Sequence, residues 1–90
     1  MSRKHIIVSG DVQGVGFRYY TVRTAQRFDV TGWVRNCPDG TVEIEAQGSE
    51  RSLEPFVEAV RQGPAYSQVA TVDVEPVSDV AGEGGFYVRR

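Results

Sequence analysis

The hydrophobic period of this chain switches repeatedly along its length, and the order of the switches limits the folds open to it. Thr41 to Gln47 alternates strictly, with Val42, Ile44 and Ala46 on one face and Glu43, Glu45 and Gln47 on the other, the pattern of a half-buried strand. Phe17 to Phe28 repeats at helical spacing instead. Phe17, Thr21, Ala25 and Phe28 fall on one side, with arginines and Gln26 on the other. Leu53, Phe56, Val57 and Val60 mark a second helix, expected to take Ser52 as its N-cap, to carry Pro55 in its first turn and to stop at Gly63-Pro64. His5 to Gly10 reads as a first strand, Val30 to Cys37 as a second, and Val69 to Glu75 as another, while Pro38-Asp39-Gly40 is turn chemistry. Phe86-Tyr87-Val88 offers a short terminal strand after the glycine-rich stretch Gly82 to Gly85.

The order is therefore β, α, β, β, α, β, with a further short strand at the end. Right-handed crossovers convert it into a split β-α-β unit of the α+β class, an antiparallel sheet with both helices on one face, which is the ferredoxin-like sandwich. At 90 residues, with no repeat or linker, one domain over 1–90 is expected. Ten Lys and Arg against twelve Asp and Glu leave a net charge of -2, so general attraction to a nucleic acid is not expected. Cys37 is the only cysteine, which excludes an internal disulfide and favours a reducing, cytoplasmic setting. The apolar run Ile6-Ile7-Val8 is too short for a signal segment or a membrane span.

Function has to be sought in the loop after the first strand. Asp11-Val12-Gln13-Gly14-Val15-Gly16 lies between a strand end and a helix start, where backbone amides have no ladder partner. Glycines at 10, 14 and 16 allow the N–H groups of Val12 through Phe17 to turn inward as an anion nest, reinforced by the helix N-terminus. Arg18, in the first helical turn, can bring its planar fork to the same anion. Such a loop alone is more often a tight turn that binds nothing, and Arg18 alone reads as a solvated helix residue. The second strand supplies the complement. In Gly32-Trp33-Val34-Arg35-Asn36, alternation sends Asn36 to the face of Gly32 and Val34. Its amide could hold a water in line with a bound phosphorus or, alternatively, cap the following turn.

Together, Val8-x-Gly10-x-Val12-Gln13-Gly14-Val15-x-Phe17-Arg18 and Gly32-Trp33-Val34-Arg35-Asn36-x-x-x-Gly40-x-Val42 with Gly48 resemble the two signatures of the acylphosphatase family, and the resemblance extends over nearly the whole chain. It implies hydrolysis of acyl phosphates to carboxylate and inorganic phosphate. By the same resemblance, Arg18 and the loop amides of residues 12–18 bind the phosphoryl group and Asn36 positions the attacking water. A carboxylate leaves without a general acid, and a phosphate oxygen can accept the water's proton, so neither a protein base nor a cofactor is implied. No metal is implied either, since His5, Cys37 and the carboxylates lack ligand spacing.

The partners expected are a small-molecule acyl phosphate and inorganic phosphate or a similar anion, with no membrane and no nucleic acid, and the chain is expected to act as a monomer. A free-standing enzyme is expected in preference to a module of a long maturation factor. Two other readings use the same fold, a noncatalytic anion-binding module and an RNA binder, the latter opposed by the lack of paired sheet aromatics and of a basic face. His5 is expected at the surface, Cys37 as a spectator thiol, Glu43 and Glu45 as a solvated face, and Trp33 as packing. Asp11, a negative charge within the anion loop, is expected to point outward.

Overall fold

The computed structural model describes residues 1–90. Its elements are β1 (Ser2–Asp11), α1 (Phe17–Arg27), β2 (Thr31–Asn36), β3 (Val42–Gly48), α2 (Glu50–Gln62), β4 (Gln68–Val77) and β5 (Phe86–Val88). The strands form one sheet in the order β4-β1-β3-β2-β5. The first four are antiparallel, as the split β-α-β order requires, and β5 adds a parallel partner to β2 with Val34 opposite Val88. The sheet is therefore mixed at one edge.

Register explains the two faces. Ile6 lies opposite Ile44 and Val74, and Val34 lies opposite Ile44, so alternate residues of each strand meet the helices. Ile6, Ile44 and Val34 join Val8, Val42, Ala46 and Phe86 of the sheet with Phe17, Ala25, Leu53, Phe56 and Val60 of the helices in one buried core, and Val74 packs against it partly buried. Burying such side chains contributes roughly 1.5–3 kcal/mol each. Tyr20 fastens the two helices by donating its hydroxyl to the carbonyl of Ala59 at 2.7 Å.

The other sheet face carries charge in pairs. Glu43 accepts from His5 at 2.6 Å and from Arg35 at 2.5 Å, and Glu45 accepts from Arg3 at 2.6 Å. These glutamates are thus ion-paired, a correction to the solvated face expected from alternation alone. Burial works against ionisation of Glu43, yet the bonds from His5 and Arg35 outweigh it and hold its carboxyl below the ordinary range. Arg3 is itself buried and grips Glu83 through Nη1 and Nη2, at 2.8 and 3.2 Å. Gln47 exchanges two hydrogen bonds with the backbone of Val80. Together they lay the segment between β4 and β5 across this face. Trp33 is buried there, with the Arg89 guanidinium 4.6 Å from its ring centre.

Several boundaries differ from the sequence expectation. Helix α2 begins a turn earlier, with Ser49 as N-cap accepting the amide of Ser52 at 3.1 Å. Ser52 is helical, and Pro55 lies beyond the first turn. Strands β1 and β4 run longer than their apolar stretches because each supplies the other's hydrogen bonds from Arg3–Val77 to Asp11–Gln68. Asp11 is therefore a strand residue.

Candidate functional site

The loop that follows β1 owes its position to a bulge at Ser9/Gly10. A Cβ on Gly10 would stand 2.2 Å from the carbonyl oxygen of Gln68, so only glycine lets β4 approach this closely where the chain turns toward α1. Gly14 and Gly16 have φ of 75° and 80°. Gly16 is the N-cap of α1, without a side-chain cap and with no acidic residue in the first turn. The first helical bond runs from Tyr20 N–H to the Gly16 carbonyl at 3.0 Å, so the amides preceding Tyr20 have no partner within the helix. Unpaired amides and the positive end of the helix dipole both favour an anion at this point.

Arg18 and Asn36 line one pocket of about 460 Å³, together with Val12, Gly14, Gly16 and Phe17. The structure thus gathers six of the eight sequence-derived site residues around a shared space. Gln13 and Val15 do not line it. The Gln13 side chain donates to the carbonyls of Cys37 and Thr41 at 2.8 Å each, and Val15 packs against the core. Arg18 belongs to no ion pair, so its charge is not neutralised within the protein.

The alternative role for Asn36, capping the next turn, falls to another residue. Asp39 accepts the amide of Thr41 at 3.0 Å and its hydroxyl at 2.7 Å, and those bonds hold its carboxyl below the usual range. Asn36 occupies the last position of β2, on the core face with Val34 and opposite Val42. That face looks toward the loop and α1. Asp11 is exposed and stays outside the pocket, and Cys37 has its sulfur 3.9 Å from Glu43 on the opposite face.

The sequence reading missed the remaining lining residues, Tyr19, Val22, Tyr87 and Val88. Tyr19 adjoins Arg18 in the first helical turn, a signal that was available. Val88 enters through the parallel pairing of β5 with β2, which no local pattern discloses.

A sequence profile of the acylphosphatase family matches residues 4–88, a span that takes in the loop, both signature segments and β5. The chain belongs to the acylphosphatase family. The acylphosphatase of Bifidobacterium longum is 56% identical over 79 residues, covering 86% of this chain and 81% of the relative. That of Methanospirillum hungatei is 50% identical over 93 residues, covering 100% and 99%. The crystal structure of acylphosphatase from Bacillus subtilis has a TM-score of 0.96 at 42% identity and covers 100% of both chains. The acylphosphatase fold and the ferredoxin-like arrangement read from the sequence therefore agree. No helix is long and apolar enough to cross a membrane.

Proposed function

We propose that this chain hydrolyses acyl phosphates to a carboxylate and inorganic phosphate. The observation that carries the reading is the convergence of Arg18, Asn36 and the Gly14–Gly16 loop on one pocket. In this mechanism the amides of Val12, Gln13, Gly14, Val15, Gly16 and Phe17 and the guanidinium of Arg18 hold the phosphoryl oxygens. Charge spread over those oxygens in a loose transition state meets donors that are already oriented. Asn36 fixes a water opposite the leaving oxygen. The water oxygen bonds to phosphorus, the P–O bond to the acyl group breaks with its electron pair leaving on the carboxylate, and a phosphoryl oxygen takes the proton.

A carboxylate is a weak base at neutral pH and requires no protonation to depart. That suits a pocket whose lining includes no Asp, Glu, His, Lys or Cys. With no carboxylate, imidazole or thiol there to hold a cation, Arg18 supplies the positive charge and the enzyme works without metal or cofactor. We further infer that it acts as a monomer, since the loop amides, Arg18 and Asn36 that the mechanism uses all come from one chain, and in the reducing cytoplasm, to which its single cysteine is suited.

Acetyl phosphate incubated with the enzyme and a metal chelator should release acetate and phosphate in equal amounts, with a phosphate monoester left intact. Failure to release either product overturns the reading.

A further inference from the structure

The pocket is much larger than the group it is proposed to grip. Its volume is about 460 Å³, whereas a phosphoryl group with one water displaces on the order of 100 Å³, taking about 30 Å³ for each water-sized unit. The space beyond Arg18 and Asn36 is walled by Tyr19 and Val22 of α1 and by Tyr87 and Val88 of β5. Of the seven large apolar side chains that stay exposed in the molecule, three, Tyr19, Tyr87 and Val88, belong to this one pocket. Clustered exposure beside a polar centre is the signature of a surface kept for a ligand.

The wall is also held in place. Arg23 donates to the Tyr19 hydroxyl at 3.1 Å with its guanidinium 5.6 Å from the ring centre. Val22 packs against the core. Val88 pairs with Val34, two residues before Asn36 on the same strand face, and the Arg89 amide donates to the Val34 carbonyl at 2.8 Å. The only charged side chain lining the pocket is Arg18, which the phosphoryl group occupies. Beyond Asn36 the lining offers tyrosine hydroxyls and no second charge for the rest of the substrate.

We propose that Tyr19, Val22 and Val88 form an acyl subsite, and that the preferred substrates are acyl phosphates whose acyl group is uncharged, apolar and larger than acetyl, since the space left beside the phosphoryl group exceeds that of two carbons. The inference rests on the hydrolysis proposed above. Along an unbranched series the carboxylate leaves with nearly constant ease, so differences in rate report contact with the wall.

The test compares kcat/KM for acetyl, butyryl, hexanoyl and succinyl phosphate in the wild type, in Tyr19→Ser and in Val88→Ser. The wild type should favour hexanoyl over acetyl phosphate by at least about fivefold, and each variant should lower that ratio by about fivefold, the low end of what an apolar contact discriminates. Succinyl phosphate, with a charged end, should fall below butyryl phosphate. A flat series, succinyl ahead of butyryl, or the wild-type ratio in both variants overturns the subsite while leaving acyl phosphate hydrolysis standing. Hydrolysis of none of the four overturns the hydrolytic reading itself, and the subsite with it. A ratio of two substrates does not depend on the fraction of enzyme folded, so a destabilised variant still answers.

Discussion

The Gln13 side chain reaches from the anion loop to the carbonyl of Cys37, 2.8 Å away, and with the same nitrogen to that of Thr41. Cys37 follows Asn36 directly, so this bond fastens the proposed phosphate cradle to the strand end that carries the proposed water-holding amide. Both carbonyls keep another donor if Gln13 is lost, Gly40 N–H for Cys37 and Cys37 N–H for Thr41. Gln13→Leu should therefore cost only about 1–2 kcal/mol of stability in a denaturant titration. Its effect on kcat should be larger, on the order of 10- to 100-fold, because small misplacements of reacting groups are expensive. A loss of kcat with little change in inhibition by phosphate would mark positioning, and an unchanged kcat would refute it.

Arg18→Ala should remove phosphate binding together with turnover. Loss of one preorganised donor of this kind lowers kcat by roughly 10²–10³, and here the donor also carries charge. Arg18→Lys should recover little, since an ammonium cannot reproduce the planar fork. Product inhibition by phosphate, measured beside initial rates, separates the two losses.

Asn36→Ala should leave phosphate inhibition within about twofold while kcat falls by about 10²-fold, as expected when a group acts on the attacking water only. Full turnover in this variant would remove Asn36 from the mechanism.

Stability should decline in acid. The hydrogen bonds from Arg3 hold the Glu83 carboxyl below its ordinary range, and Glu43 is held low by His5 and Arg35. Groups with depressed folded values contribute stability that is complete above the unfolded value and lost as pH falls through the folded one. Thermal melting should thus be flat near neutrality and fall below roughly pH 4. Arg3→Ala, which leaves the partly buried carboxylates of Glu45 and Glu83 without their shared partner, should cost about 1–3 kcal/mol at pH 7 and flatten the acid decline.

Much of the architecture was legible because it is periodic. The alternation of Val42, Ile44 and Ala46 and the helical spacing of Leu53, Phe56 and Val60 are local consequences of burial on one face. Local signals also placed the loop glycines, Arg18 and Asn36. The start of α2 was misplaced because Ser49 and Ser52 are both competent caps, and Pro55 argued for the later one. Proline costs less here than its reputation suggests, because the Arg51 carbonyl it leaves without a donor belongs to an exposed residue. Pairs such as Arg3 with Glu83, and the entry of Val88 into the pocket, join opposite ends of the chain. They depend on the sheet order, which no window of sequence contains.

The three-residue strand β5 closes against a partner strand more than fifty positions earlier in the chain. With only three residues, and β2 as its one neighbour at the sheet edge, it has few hydrogen bonds to offset its loop-closure cost and can pair only after β2 is in place. The wall containing Val88 is then among the last parts of the molecule to assemble during synthesis or refolding. A chain cut short before Phe86 could keep Arg18 and Asn36 and still lack one side of its pocket. Recovery of selectivity for a longer acyl chain would then lag behind recovery of acetyl phosphate turnover, and the interval would time the arrival of the last strand.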